Sequence, residues 1–392
     1  MDEIHAWAYL NRVVEATHPQ IVRLVTEFGP VEVAERIKAR AGLPEGLLNT
    51  TQARADVDQS GHDLELAAAM GWRLIYPGHP EWPGELLSCF TTLEVRDRAD
   101  APPLALWVRG RDLRDVVSEA VAIVGTRMAS SYGTQVAAQF AGQFANAGVS
   151  VISGGALGID AAAHRAALDA GGTTVVVGAG GVGVDYPRAH AELFDRIAER
   201  GALITEYPPG VRPARHRFLT RNRLVAALSR ATTIVEAGWR SGARNTAHWA
   251  VRLNKPLGAV PGPVTLQTTS GCHDLIRSGE AVLVCSADNV RSLYRSVGTV
   301  NEDAQLELLW EKSAVQKLSR NELAVYDSLN SAEPTPVGEV AAQAGLAVAL
   351  TTHLLLELQG QGLTSRVEGG WLRQEQKLSL IHISEPTRRY AI

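Results

Sequence analysis

The stretch VAIVGTRMASSYGTQVAAQFAGQFANAGVSVISGGALGIDAAAHRAALDAGGTTVVV, residues 121–177, decides the fold. It alternates short runs of β-branched residues with alanine-rich helical segments, and a glycine-containing segment follows each apolar run. The alternation continues to residue 260 and predicts an α/β fold, a Rossmann-like, doubly wound parallel sheet with helices on both faces. The predicted strands are 121–124, 149–152, 173–177, 202–204, 232–235 and 257–260.

The part of the chain before this region has a different character. Residues 1–60 show apolar residues at helical spacing and no strand signal, which predicts a small helical domain. A linker-like stretch rich in Asp, Gln, Ser and Gly covers 56–61. Two β-type runs, 72–76 and 104–108, then introduce the Rossmann-like domain, which we place at 70–292.

The part after it contains a third unit. A polar linker at 296–312 precedes residues 313–376, where Ser319-x-x-Glu322 is a capping box that opens the first of three helices. Three helices followed by a hairpin predict a winged-helix domain. Residues 378–392 abandon this pattern, and we interpret them as a non-native or disordered tail.

Composition excludes several classes of protein. The 392 residues are 45% hydrophobic and 20% charged, without an apolar run of about 18 residues, so no membrane span is expected. The acidic N-terminus does not resemble a secretory signal, so we expect a cytoplasmic protein. Three cysteines without a CxxC pair predict unreactive buried thiols and no metal site. The net charge of −4 argues weakly against nucleic acid, unless the charge is unevenly distributed.

Two loops could approach a phosphate. In residues 125–133, backbone N–H groups, the dipole of the following helix and Arg127 could converge on one anion, whereas the alternative is a tight turn with a surface arginine. In residues 153–160, three glycines allow close approach of a ligand to the backbone. Asp160 and His164 could form an acid/base pair, but ordinary N-capping and helix support fit the pair better.

The stretch Gly178-Ala179-Gly180-Gly181-Val182-Gly183 spells G-x-G-x-x-G after a strand, the pattern of a dinucleotide site. Because Pro187 follows, we expect the helix to begin at the proline and not at the third glycine. We therefore do not interpret this loop as a nicotinamide-cofactor site.

The segment from Tyr207 to Val235 contains no acidic residue but has six arginines, together with His216 and Phe218. Arginines around an aromatic ring suit single-stranded nucleic acid, with guanidiniums on phosphates and the ring stacked on a base. The alternative is a solvated basic face. We expect Arg221-Asn222-Arg223 to open a helix, where the dipole disfavours cations unless an anion is bound.

Eight ordered motifs together resemble the DNA-processing protein A (DprA, or Smf) family over about residues 70–290. They are VAIVGTR (121–127), SGGALGIDAAAH (153–164), YP (186–187), TEYPPG (205–210), TRNRLVAALS (220–229), VEAGWRSGARNTA (235–247), VPGP (260–263) and SGCHDLIRSGEAVLV (270–284). The resemblance implies a non-enzymatic, homodimeric protein that binds single-stranded DNA without sequence preference and loads RecA during natural transformation. It also implies that the N-terminal helices form a small domain of the SAM or helix-hairpin type.

The resemblance assigns DNA contacts to Arg127, Arg215 and Phe218. Two departures are Leu157, where many members have arginine, and Leu219, where the family has proline. With the loops above, the predicted DNA-binding residues are Gly125, Thr126, Arg127, Ser130, Gly154, Gly155, Gly158, Arg215, Arg217, Phe218, Arg221, Asn222, Arg223, Ser241, Gly242 and Arg244.

No HExxH, GxSxG or Walker lysine is present, so we expect no catalytic residues and no cofactor. The rival function is nucleotide cleavage of the lysine-decarboxylase-like (LOG) type, whose PGGxGTxxE motif is replaced here by PGPVTLQTTSG, residues 261–271. The third helix of the predicted winged helix has no Lys or Arg, and residues 313–376 carry four basic against seven acidic residues. We therefore expect a weak DNA binder, or a protein-interaction or packing module.

Overall fold

The computed structural model describes residues 1–295, 315 and 318–374. The chain divides into two compact units, Met1–Asn301 and Glu302–Ile392. The predicted linker at 296–312 and the predicted tail at 378–392 lie outside the described residues.

The first unit is built on a nine-stranded sheet in the order β1-β2-β6-β5-β4-β3-β7-β8-β9. The pairs β1–β2 and β2–β6 are antiparallel, and all other neighbours are parallel, which confirms the predicted α/β fold with a mostly parallel sheet. The strands are Trp72–Ile75 (β1), Leu106–Gly110 (β2), Ala120–Gly125 (β3), Ser150–Ser153 (β4), Thr174–Val177 (β5), Ala202–Thr205 (β6), Ala231–Glu236 (β7), Leu257–Ala259 (β8) and Val282–Leu283 (β9).

The chain reverses its direction of travel across the sheet beside β3. From β3 to β6, each new strand pairs with the outer side of the strand before it. The connection after β6 then crosses back over the sheet, and β7 pairs with the other side of β3. Loops that leave β3 and β7 therefore diverge, and a crevice opens at the carboxyl ends of these strands. The sequence did not predict β9, because two residues are too few to give a periodic signal.

Helices cover both faces of this sheet, as the alternation predicts. On one face Phe140 and Phe144 pack against the sheet, and on the other Leu224 and Trp249 do so. The helices from α6 onward are Gly84–Leu87 (α6), Leu113–Val117 (α7), Ser131–Asn146 (α8), Ile159–Asp169 (α9), Ala191–Arg200 (α10), Arg215–Ala227 (α11), Ala243–Arg252 (α12), Ser270–Arg277 (α13) and Ala287–Ser292 (α14).

The N-terminal helices pack on the sheet and share a hydrophobic cluster with it, in which Trp7 and Leu10 join Leu74 and Trp107. They are Glu3–Val14 (α1), Pro19–Phe28 (α2), Pro30–Ala39 (α3), Glu45–Thr51 (α4) and Ser60–Ala69 (α5). Helix α5 begins inside the stretch that the sequence marked as a linker, because Asp58 accepts hydrogen bonds from the Ser60 amide (3.0 Å) and hydroxyl (2.6 Å).

In residues 318–374 the second unit forms three helices, Arg320–Asp327 (α15), Val337–Ala344 (α16) and Val348–Gly360 (α17), and a hairpin of Thr364–Val367 (β10) and Gly370–Arg373 (β11). The capping box is confirmed: the Glu322 amide donates to Ser319 Oγ, and the Ser319 amide donates to Glu322 Oε2. Leu355, Leu358 and Trp371 form the centre of its small core.

Within the described ranges, no single helix is long and apolar enough to cross a membrane. The pair α16 and α17, bent by 103°, passes the length and composition criteria only when its two helices are taken together.

Asn11 joins α1 to the sheet through a buried amide. Its Nδ2 donates to the Glu206 carbonyl (2.8 Å), and its Oδ1 accepts from Trp107 Nε1 (3.0 Å). Asn11→Leu leaves both partners buried and unpaired, so urea titration should show a loss of about 2–4 kcal/mol in the free energy of unfolding. The exposed Asn49→Leu should change it by less than about 0.5 kcal/mol. Equal values for the two variants would contradict this role.

His164 makes stability sensitive to acid. Thr174 Oγ1 donates to the Val151 carbonyl and so accepts from His164 Nδ1 (2.7 Å). Burial lowers the pKa of His164 to about 3. Between about pH 6.5 and 3 the unfolded state therefore binds one more proton at this histidine than the folded state does. The free energy of unfolding accordingly decreases by about 1.4 kcal/mol for each unit by which the pH is lowered. Urea denaturation at pH 7, 6 and 5 should show that the free energy of unfolding decreases less steeply for His164→Asn than for the wild type. The same slope in both proteins would rule out this contribution.

Candidate nucleic-acid interface

A cleft of about 1160 Å³ lies at the carboxyl ends of β3 and β7, the place that the topology selects. Its walls are the loops after β3 and β7, the first turns of α11 and the segment around Tyr186. Of the sixteen predicted DNA-binding residues, the structure brings ten together in its lining: Gly125, Thr126, Arg127, Gly154, Arg215, Phe218, Arg221, Asn222, Ser241 and Gly242.

An aromatic and cationic cluster stands on the wall that α11 forms. The guanidinium of Arg127 lies over the ring of Phe218, 5.1 Å from its centroid. On the same ring packs Tyr186, with centroids 5.3 Å apart and planes inclined by 55°. Residues from three separate connections, after β3, after β5 and after β6, therefore build one surface.

The structure sorts the arginines by environment. Arg127, Arg215 and Arg240 are exposed on the cleft, and no acidic side chain among the described residues pairs with them. The only acidic residue in the described lining is Asp160, which is 5% exposed. The cleft therefore has cationic side chains at its surface without neutralising carboxylates, as the uneven charge distribution predicted.

Helix α11 begins at Arg215 and not, as predicted, at Arg221. Arg221 is buried, donates to the carbonyls of Gly154 (2.5 Å) and Val177, and forms part of the cleft floor. Burial lowers its pKa to about 10, an effect that Asp160 opposes. The argument that a cation at a helix start needs an anion therefore applies to Arg215.

Arg223 lies outside the cleft, which corrects its predicted place at the interface. It is fully buried, with Nη2 bonded to Glu206 Oε1 (2.5 Å) and its guanidinium over Phe90. Burial raises the pKa of Glu206, an effect that Arg223 opposes. Arg223 is therefore an interior ion pair of the fold, and DNA on the surface would not reach it.

One amide of the loop after β3, that of Ser130, is bonded to an internal carboxylate. Glu236, fully buried at the end of β7, accepts from the Ser130 amide (2.9 Å) and from the Thr268 hydroxyl. A Cβ on Gly133 would collide with the same carboxylate. Glu236 thus takes one of the amides of the loop that the sequence predicted to approach a phosphate.

Two amides of the loop after β4 are also bonded to a buried carboxylate. Asp160 Oδ2 accepts from the amides of Gly154 and Ala156, both at 3.2 Å. Burial raises the pKa of Asp160, and Arg221 opposes that shift. His164 pairs with Thr174 instead, so the acid/base pair that we considered does not form.

The other predicted residues outside the cleft support its walls. Ser130 caps α8 through the Gly133 amide (3.1 Å), and Arg217 reaches Glu15 (3.3 Å). Gly155 and Gly158 have positive φ, and a Cβ on Gly158 would collide with the carbonyls of Thr126 and Arg127. Arg244 forms an ion pair with Asp274 at 2.8 Å.

The loop with the G-x-G-x-x-G pattern is closed by its own chain. The Gly181 amide donates to the Val211 carbonyl (2.8 Å), and a Cβ on Gly181 would overlap the Pro208 carbonyl. Helical structure starts only after Pro187, with a 3-10 turn at Arg188–His190. Its geometry agrees with our interpretation that this is not a dinucleotide site.

Several residues that line the cleft were not among the predicted DNA contacts, and those with the side chains best suited to a ligand are Met128, Tyr186, Trp239 and Arg240. Trp239 and Arg240 stand between the end of a predicted strand and the Ser241-Gly242 turn, so an aromatic residue beside a cation in a ligand-side loop was an available signal. Tyr186 follows the loop with the G-x-G-x-x-G pattern, and no sequence signal beyond that pattern points to a ligand there.

No group of three or more metal-ligating side chains occurs in residues 1–295 and 318–374. The three cysteines are free, and Cys272 is buried as expected. Cys285 is exposed just after β9, which corrects the prediction that all the thiols are buried.

Comparison with known proteins agrees with this geometry. The family described as DNA recombination-mediator protein A matches residues 73–295. A putative DNA processing protein DprA of Mycobacterium tuberculosis is 46% identical over 368 residues, covering 93% of each chain. Protein Smf of Escherichia coli is 34% identical over 284 residues, covering 69% of this chain and 72% of Smf.

The X-ray structure of DNA processing protein A from Streptococcus pneumoniae superposes with a TM-score of 0.62 and 26% identity. The match covers 76% of this chain and 99% of that one. The family match spans the whole region that forms the sheet and the cleft, and the Mycobacterium relative extends it to nearly the full length. This chain therefore belongs to the DNA recombination-mediator protein A family, whose members are also named DprA or Smf.

Proposed function

We propose that this chain binds single-stranded DNA along the cleft and delivers it to the RecA recombinase in the cytoplasm, in natural transformation or general recombination. The observation that carries the proposal is the cluster of Arg127, Phe218 and Tyr186, which places a cation and two rings on one wall of a cleft without exposed carboxylates.

The chemistry of the cleft favours single strands over duplex. Guanidiniums of Arg127, Arg215 and Arg240 can contact phosphates, and the rings of Phe218 and Tyr186 can stack with bases. In a duplex the bases are already stacked and paired, so the rings would gain no partner. Stacking and phosphate contacts read no base edge, and binding without sequence preference follows.

The two buried carboxylates disfavour the rival function of nucleotide cleavage. A nucleotide phosphate on a Rossmann-like sheet uses amides of the loops that lead into helices, and three such amides, those of Ser130, Gly154 and Ala156, are bonded to Glu236 or Asp160 here. Membership of a recombination-mediator family points the same way.

For the C-terminal unit we propose a winged helix that is not the main DNA site. Three helices and the hairpin of β10 and β11 support that fold. Helix α17 carries no Lys or Arg, and Arg366 and Arg373 lie over the rings of Trp371 and Tyr326. A weak DNA contact, or contact with a protein, fits this charge pattern better than a reader of the major groove.

We also propose a homodimer formed through the edge strand β9. Val282 and Leu283 are 56% and 47% exposed, and within the described residues no strand pairs with the outer side of β9. An open edge strand without charged side chains invites pairing with another strand. At the opposite edge, α5 packs against β1 and Arg73 pairs with Glu81. Antiparallel pairing of β9 with its own copy is self-complementary under two-fold symmetry, so a second copy is the fitting occupant.

Substitutions in the cleft should separate charge from stacking. In anisotropy titrations with dT20 at several salt concentrations, Arg127→Ala and Arg215→Ala should each weaken binding and reduce the salt slope by about 0.7, because one phosphate contact is lost. Phe218→Ala should weaken binding about 10-fold with little change in slope.

The matched control is Arg114→Ala. Arg114 is an exposed arginine on α7, which directly precedes β3 and so lies at the amino end of that strand, whereas the cleft lies at its carboxyl end. It should bind like the wild type. If all three cleft variants also keep the wild-type affinity and slope, the cleft is not the DNA site.

The dimer is tested by Val282→Lys, which places a charge on the open edge. Light scattering after gel filtration should show a shift from dimer towards monomer, with a dissociation constant at least about 10-fold higher. Val57→Lys, at an exposed valine of the N-terminal region, should remain dimeric. A monomeric wild type at micromolar concentration, or a dimeric Val282→Lys, would refute this interface.

A further inference from the structure

Trp239 is unusual among the tryptophans of the described ranges. It is 62% exposed, whereas Trp7, Trp107, Trp249 and Trp371 are each at most 5% exposed. Its indole lines the cleft from the loop after β7, whereas Phe218 lines the cleft from α11.

The ring is held from within the protein. The guanidinium of Arg244 lies over the indole, 4.9 Å from the ring centroid, and is anchored by Asp274 at 2.8 Å. Asp274 also holds Arg277, at 2.7 Å. Ion pairing fixes Arg244 against the ring, and the high exposure of the indole leaves it surface for another planar group.

We propose that Trp239 is a second base-stacking platform, which binds a base of the same DNA strand that stacks on Phe218. This inference rests on the proposed function and extends its site. Arg240, exposed and next in the chain, is placed to contact the phosphate of the nucleotide stacked on Trp239.

The surroundings of Trp239 favour a nucleobase over a protein partner. The next residues in the loop are Arg240, Ser241 and Gly242, so no apolar patch continues from the indole along the chain. A planar π-system beside cations in a cleft without exposed carboxylates is the combination that single-stranded nucleic acid requires.

The two stacking surfaces lie on different connections of the sheet. Tyr186, which packs on Phe218, follows β5, and Trp239 follows β7, with β4 and β3 between these strands in the sheet. The loop after β3, which carries Arg127, leaves the sheet between these two strands. A single strand of DNA that contacts both surfaces would therefore use two separate nucleotides.

The test compares Trp239→Ala and Trp239→Phe with the wild type in anisotropy titrations with dT12. Alanine should weaken binding about 10-fold with little change in salt slope, and phenylalanine, which keeps a stacking ring, should restore most of the loss. Phe28→Ala is the matched control, because Phe28 is also exposed and lies under an arginine, Arg36, but far along the chain on α2. It should bind as the wild type does.

A second readout follows the bases themselves. A single abasic site moved along dT12 should weaken wild-type binding at two separate positions, and Trp239→Ala should abolish one of these two effects. If Trp239→Ala binds like the wild type while Phe218→Ala is weakened, the second platform is refuted and the proposed function stands. If the wild type fails to bind dT12 and dT20, the proposed function itself fails.

Discussion

Two buried carboxylates fix the geometry on which the rest of the cleft depends. Glu236 accepts from the amide of Ser130, and Asp160 accepts from those of Gly154 and Ala156, in loops that face a ligand in other sheets of this type. These three amides are then unavailable to a mononucleotide, and the hydrogen bonds tie the loops to the protein interior. Under the proposed function, a DNA strand would contact side chains at the surface of the cleft.

The position of this surface could be predicted from the sequence, because alternating strands and helices place every ligand-side loop at one edge of the sheet. Ten of the sixteen expected residues line the cleft for that reason. The partner of each loop amide could not be predicted, since Glu236 follows Ser130 by 106 residues and no local pattern links them. Likewise, a strand of two residues such as β9 carries no period to detect.

The arginine-rich segment shows what a charge count leaves out. One helix, α11, presents Arg215 to solvent at its first residue and, two turns later, buries Arg223 against Glu206. A linear sequence records both as positive charges in one cluster. Only the start of the helix and the direction of its faces separate an arginine available to a phosphate from one that belongs to the core.

The cleft separates two properties that usually constrain each other. Arg127, Arg215 and Trp239 are exposed, whereas Asp160 and Arg221 are buried in the floor of the cleft and Glu236 is buried at the end of β7. Affinity for DNA can therefore drift by substitution at the rim while the fold remains stable. If the chain passes DNA to a recombinase, as proposed, its affinity for DNA can be lowered by such substitutions while the fold remains intact.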